Sequence, residues 1–176
     1  MNDSIHTVID LVSDGDDAST DQDPAIHIMI PGAPVPLPRS RWFRGGSFNP
    51  ARDRIEQVRA FVRRNTGTAT NGPVFDRTHR LYVSIDFFLR RPMVDFRGCK
   101  RAPGNLKLGA SFLSSPANGP DVDNLVKFVL DALNGVLYHD DRQVVVLVAR
   151  KLRDNEGTCE GRTRLSVRNV REQDLR

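Results

Sequence analysis

Apolar positions along the chain recur with two periods. Leu81, Val83, Ile85, Phe87 and Leu89 fall at every second residue, the mark of a half-buried strand over 81–89. Val126, Val129, Leu130 and Leu133 recur at the helical period and predict a helix over about 122–134, stopped by Asn134-Gly135. Ile55, Val58, Phe61 and Val62 predict another over 51–64, with Asn49 as N-cap and Pro50 at its first position. Arg52, Arg54, Arg59, Arg63 and Arg64 fill the other faces of that helix. Residues 26–30 read as a first strand ended by Pro31-Gly32, after which Pro34, Pro36 and Pro38 force an extended loop. The β-prone run 143–148 reads as a central strand. Residues 163–170 alternate as a last strand beside it, and Asp154-Asn-Glu-Gly157 forms the hairpin turn between the two. Residues 93–120 show no period and predict a long loop, of the kind that is functional or disordered in a compact domain. The elements add up to an α/β (α+β) fold, a small mixed β-sheet with two main helices packed on it.

Composition shifts sharply at Pro24. Residues 1–25 hold seven aspartates and no Lys or Arg, and their polar content supports no core, so they read as an acidic, disordered tail. The folded domain then spans 26–170, and 171–176 form a C-terminal tail. Within the acidic segment Val8, Ile9, Leu11 and Val12 make a short β-prone island followed by Ser13, Asp14, Asp16 and Asp17. The island resembles a SUMO-interacting motif, and residues 8–17 would then add a strand to a partner's sheet edge. A strand docking on the chain's own sheet remains the alternative.

The formal charge of +4 hides an asymmetry. With the first 25 residues set aside, 26 basic residues face 15 acidic ones, a net +11. A body that basic favours a nucleic-acid backbone as partner. Arg39, Arg41 and Arg44, interleaved with Trp42 and Phe43 at Gly45-Gly46, have the chemistry to grip phosphates and stack on bases. Cys99 and Cys159 lack zinc or redox spacing and read as free thiols of a reducing compartment. The N-terminus has no basic n-region, so a secretory signal is not expected. The expected setting is intracellular: the nucleus or a viral replication site if the SUMO-type motif operates, otherwise the cytoplasm or nucleoid.

Acids gather at one point of this basic chain. Asp121 and Asp123 stand at the start of the second helix, where helix-end N–H groups keep carboxylates ionised. Lys127 lies four residues beyond Asp123 on the same face. Asp131 follows one turn later, and Asp140-Asp141 precede the next strand. A strand running back beside the helix is expected to return that pair to the helix start. Carboxylates meeting there repel one another unless a cation sits among them, and hard oxygen donors select Mg²⁺ or Mn²⁺. Such a site suits phosphodiester hydrolysis, with Lys127 either stabilising developing charge or merely ion-paired to Asp123 or Asp131. Asp-x-Asp also occurs in glycosyltransferases, calcium loops and helix caps. His139 is read as a bystander.

Pro120-Asp-Val-Asp-Asn-Leu-Val-Lys127, then Asp131-Ala-Leu-Asn-Gly135, then Asp140-Asp-Arg-Gln-Val144, resembles the RusA family of Holliday junction resolvases. Gly32-Ala-Pro-Val-Pro36 with Arg39 and Arg41 is similar to that family's loop after its first strand. The resemblance covers about 26–170 and implies a RusA-like homodimer that needs Mg²⁺ or Mn²⁺. It implies cutting of four-way DNA junctions by paired symmetric nicks, with Asp121, Asp123 and Asp141 as catalytic metal ligands and Lys127 as the essential lysine. Asp140 matches an outer or alternate ligand, and Asp131 is structural. Gly119 stands where the family often has a basic residue, and Arg97, Lys100, Arg101 and Lys107 of the following loop are candidates to replace its phosphate contact. The alternative is a non-catalytic, structure-selective DNA-binding module recruited through its N-terminal segment.

Overall fold

The computed structural model describes residues 25–38, 41–43, 46–48, 50–67, 72–99, 102–111, 113, 119–153 and 160–175. The SUMO-like island (Val8, Ile9, Leu11, Val12) and Arg39, Arg44, Lys100 and Arg101 lie outside them, as does the side chain of Arg41. In chain order the elements are β1 (Ile26–Pro31), β2 (Arg41–Phe43), β3 (Gly46–Phe48), α1 (Arg52–Thr66), β4 (Leu81–Leu89), β5 (Phe96–Cys99), β6 (Ala102–Leu106), α2 (Val122–Leu133), β7 (Val144–Arg153) and β8 (Gly161–Asn169).

Strands β1, β8, β4 and β7 pair in that order into one mixed sheet. β8 lies antiparallel to both β1 and β4, whereas β7 lies parallel to β4. The expected fold class therefore holds: a mixed sheet with two helices. The strand order differs from expectation. The Val-rich run of β7 is an edge strand, and β8 pairs with β4 rather than with β7; the expected turn at 154–157 lies outside the described residues. The physical reason is pairing of β4 on both edges, which places it between the two. A β-prone apolar run marks a strand without specifying how many of its edges are filled.

One core joins the sheet to the helices. Leu81, Val83, Ile85 and Phe87 of β4, Leu165 and Val167 of β8, and Ile28 and Ile30 of β1 share a buried cluster with Ile55 and Val62 of α1. α2 adds Leu125, Val126, Phe128, Val129, Ala132 and Leu133. The sequence stripe of α2 named half of that face; Leu125, Phe128 and Ala132 widen it because both α1 and the sheet cover this helix. α1 starts at Arg52 with Ala51 as N-cap and no side-chain cap, so the expected Asn49 cap and Pro50 first position are not realised.

Two expected loops have structure. β2 and β3 pair antiparallel across the Arg/Trp/Phe segment. The 93–120 region contains a 3₁₀ turn (Met93–Asp95) and the antiparallel ribbon β5–β6. Arg91, 1% exposed, holds this region by donating to Asp95 Oδ2 at 3.2 Å and to the Ser111 carbonyl at 2.9 Å. No periodicity announced it because the ribbon is short and carried by Gly and Pro residues.

The other sheet face is organised by carboxylates. Asp86 of β4 accepts from Arg150 of β7 (Nε, 2.6 Å) and from Arg164 of β8 (Nη2, 2.6 Å). Burial pushes the Asp86 carboxyl up, but hydrogen bonds and charge from the two guanidiniums outweigh it and hold it below its ordinary value. Arg162 and Arg164 lie over the Phe88 ring, and Arg168 lies over Tyr82. Arg168 also donates twice to Asp174 at 2.6 Å, tying the expected C-terminal tail, here a 3₁₀ turn over Glu172–Leu175, onto β8.

Asp86→Ala removes the acceptor of two guanidiniums and is expected to destabilise the fold by about 1.5–3 kcal/mol, read from urea melts. The remaining arginines, about half exposed, turn to solvent rather than stay buried unpaired. The Asp174 carboxyl is depressed to about 2, chiefly by its hydrogen bonds from Arg168. A depressed carboxylate stabilises above its unfolded pKa of about 3.9 and loses that contribution as pH falls through about 2. Asp174→Asn should thus lower Tm at pH 7 and match wild type near pH 2; an equal Tm difference at both pH values would contradict this.

Candidate metal and phosphate site

α2 is fastened at its start. Lys151 Nζ of β7 donates to the Pro120 carbonyl at 3.0 Å, and Leu37 N–H of the proline loop donates to the Asn124 carbonyl at 2.9 Å. The first contact fixes where Asp121 stands, and the second brings the segment leading to Arg39 against the first turn of α2. Asp121 is the N-cap residue in extended conformation, yet its side chain makes no capping hydrogen bond. The carboxylate is exposed and uncommitted, which separates it from a plain helix cap. Asp123 is exposed too, and Lys127 Nζ lies 3.1 Å from its Oδ2. That hydrogen bond is the main cause of an Asp123 carboxyl held below its ordinary value. The spacing argument placing Lys127 beside Asp123 is thus realised.

Asp140 and Asp141 go elsewhere. α2 runs along β7 in the opposite direction, so the chain leaving α2 turns through Asn134–Asp140 directly onto the start of β7. Asp141 opens a 3₁₀ turn (Asp141–Gln143) there, and its charge, after burial, helps raise the carboxyl of Asp131 and the phenol of Tyr138. Asp131 is near the end of α2, eight residues past Asp123, or roughly 12 Å at ~1.5 Å per residue. Val144 is seven residues before Lys151, or roughly 23 Å at ~3.3 Å per residue. The expected return of Asp140-Asp141 to the helix start therefore does not occur within one chain. Among the described residues, no three His, Cys, Asp or Glu side chains come together to hold a metal ion. The donor types suit a hard cation, but one chain does not bring them together.

Asp140 is committed locally. Its Oδ1 accepts the Arg142 N–H at 2.9 Å, and Gln143 reciprocates in a capping box. Gln143, at the head of the β-prone run in sequence, precedes β7 as the last residue of the 3₁₀ turn. Its buried side chain accepts from His139 N–H (2.8 Å) and Asp140 N–H (3.3 Å) and donates to the Asp76 carbonyl (2.6 Å). It sets the backbone from which Asp141 projects. The Asp-x-x-Gln spacing was the available signal. His139 contributes its backbone N–H to this network. The basic turn Arg77-Thr-His-Arg80 carries no periodic pattern that marks it in the sequence.

The sequence profile of the family described as Endodeoxyribonuclease RusA matches residues 31–167, most of the chain. An uncharacterized protein of Bacillus subtilis (strain 168), YqaN, is 38% identical over 78 residues, which are 44% of this chain and 54% of that protein. The match thus spans about half of that relative's length.

Gln143→Leu strands two backbone N–H groups beside Asp141. It should cost about 2–3 kcal/mol in thermal or urea melts, whereas Arg142→Ala, on an exposed side chain of the same turn, should cost under about 1 kcal/mol.

Proposed function

Since the chain belongs to the RusA family of endodeoxyribonucleases, we propose that it resolves four-way DNA junctions as a metal-dependent homodimer. The observation that carries this reading is the first turn of α2: two exposed carboxylates, one with no capping duty, and a lysine on the same face. The proposed ligands are Asp121, Asp123 and Asp141, with Asp140 too committed to its cap to be a primary ligand. Bound Mg²⁺ or Mn²⁺ would supply an activated water and charge neutralisation at the phosphoryl oxygens. Lys127 keeps Asp123 ionised and presents a cation beside it for the anion being cut.

Separation of the acids in one chain supports completion of the site by a second copy. β7 is the sheet edge, and among the described residues only Leu113 bridges to it, at Leu152. Val145, Leu147 and Val148 are exposed along it (53%, 42% and 36%). Long apolar edges invite pairing with another strand. Two-fold, antiparallel pairing of β7 with its copy would set the Asp121 end of one chain beside the Asp141 end of the other. The two resulting sites match a two-fold junction and its paired nicks.

A mixed-dimer assay tests this. Asp123→Asn and Asp141→Asn homodimers should each lose roughly a hundredfold or more of Mg²⁺-dependent junction cleavage. Co-refolded together, they should regain single-strand nicking, because one of the two shared sites is then wild type. Absence of recovery in a verified mixed dimer would place each site within one chain; wild-type cleavage by Asp123→Asn would remove the nuclease assignment.

A further inference from the structure

The Asp141 end of the molecule carries a second feature that the acids do not account for. A cleft of ≈ 670 Å³ opens where β4 and β7 begin, lined by Arg77, His79, Arg80, His139 and Arg142 among others. Asp140 is the carboxylate in its wall, and it is already spent on Arg142, whose N–H it accepts at 2.9 Å and whose Nε lies at 3.3 Å. Among the described residues neither Arg77 nor Arg80 has a carboxylate at ion-pair distance, although the Arg77 charge is felt at Asp140. Three guanidiniums against one carboxylate leave the wall at +2 before either histidine is counted.

The turn that presents these arginines is fixed rather than loose. Phe75, fully buried, donates its N–H to Leu137 at 2.9 Å and packs edge-on against His79. Gln143 Nε2 donates to the Asp76 carbonyl, His79 N–H donates to the same carbonyl, and Val170 N–H donates to the Arg80 carbonyl at 2.9 Å. The backbone of 75–80 is therefore held from the α2–β7 turn and from the end of β8. Exposed guanidiniums on such a fixed turn lose little backbone entropy on binding an anion, and Arg suits phosphate geometry. The same Gln143 hydrogen-bonds both this turn and the one bearing Asp141 and so links them directly.

We propose that Arg77, Arg80 and Arg142 form a phosphate cradle that grips the DNA backbone beside the phosphodiester served by Asp141. The inference rests on the nuclease reading for its location but not for its chemistry. DNA is favoured over a small anion because the cleft is larger than one phosphate and its wall includes Asp140 and Arg142, the chain neighbours of Asp141. It places part of the substrate grip at a turn that precedes β4, far in sequence from the Arg39–Arg44 segment.

The full-length protein is titrated with a labelled synthetic four-way junction in EDTA, where no cutting occurs, from about 50 to 200 mM salt. Arg77→Ala/Arg80→Ala should lower the slope of log Kd against log salt by about two and weaken binding about tenfold or more. Arg77→Lys/Arg80→Lys should restore most of the slope, because point charge suffices for counterion release. Wild-type affinity and slope in the alanine variant, with an unchanged Tm, would overturn the cradle. So would lost affinity at wild-type slope, which reports damage rather than a lost phosphate contact. Inorganic phosphate at matched ionic strength should not protect these arginines from a guanidine-modifying reagent as junction DNA does; protection by phosphate alone assigns the cleft to a free anion and overturns the proposal. Should the wild type fail to cut junctions with Mg²⁺ or Mn²⁺ while the slope change is seen, the nuclease reading fails and the cradle stands.

Discussion

Antiparallel packing of α2 along β7 is the constraint on which the rest of this molecule depends. The helix cannot be displaced: six of its side chains are in the core, and Lys151 pins its entrance to the far end of β7. A short turn then forces β7 to begin where α2 ends. Whatever begins α2 and whatever begins β7 must lie at opposite ends of one layer. The acids of the conspicuous cluster are distributed between these two ends, so proximity in sequence becomes separation in space.

The same packing explains the exposed edge. β4 is paired on both sides, parallel to β7 and antiparallel to β8, and its alternating side chains fill the core under both helices. β7 then has one edge satisfied by β4 and another carrying Val145, Leu147 and Val148 into solvent. Asp121 and Asp141 flank that edge, one toward each end. The geometry that divides the acids is therefore also the one in which the proposed two-fold pairing along β7 would bring complementary ends together.

Local structure was legible wherever the determinant was local. β4 occupies 81–89 as expected, though its alternation of burial holds only to Ile85 because Asp86 and Phe88 are buried on the other face, and α2 follows its stripe and its Asn134-Gly135 stop, Gly135 adopting a positive φ of 75°. The Asp123–Lys127 pair follows from helical spacing alone. Strand order did not follow, since the valines of β7 state only that a strand forms. The ribbon β5–β6 and the hairpin β2–β3 were missed because three- to five-residue strands give too few alternations to register. The position of Asp141 was misjudged for a global reason: two neighbouring elements of similar length, packed antiparallel, return the chain only after the second element has been traversed. Family membership was legible from the short α2 motif because its residues are chemically uncommon together, whereas nothing in the motif states how far apart its acids stand in the folded chain.

The arginines show how net charge is divided between architecture and binding. Charge counting gave the correct sign for a basic body but no location. Arg150 and Arg164 spend two nitrogens each on Asp86, Arg168 is bound to Asp174, and Arg91 is buried on Asp95 and Ser111. These side chains bind strands and turns to one another, and a carboxylate compensates each of them. Among the described residues Arg77 and Arg80 differ in having no such carboxylate at ion-pair distance, while standing on a turn whose backbone is held by hydrogen bonds at Phe75, Asp76, His79 and Arg80. An unneutralised charge on a rigid support is poorly explained by folding, since exposed guanidiniums add little to stability and repel one another. It is well explained by an anion that arrives from outside, and the surplus lies beside Asp141, at the end of the molecule where the acids alone would repel a phosphate.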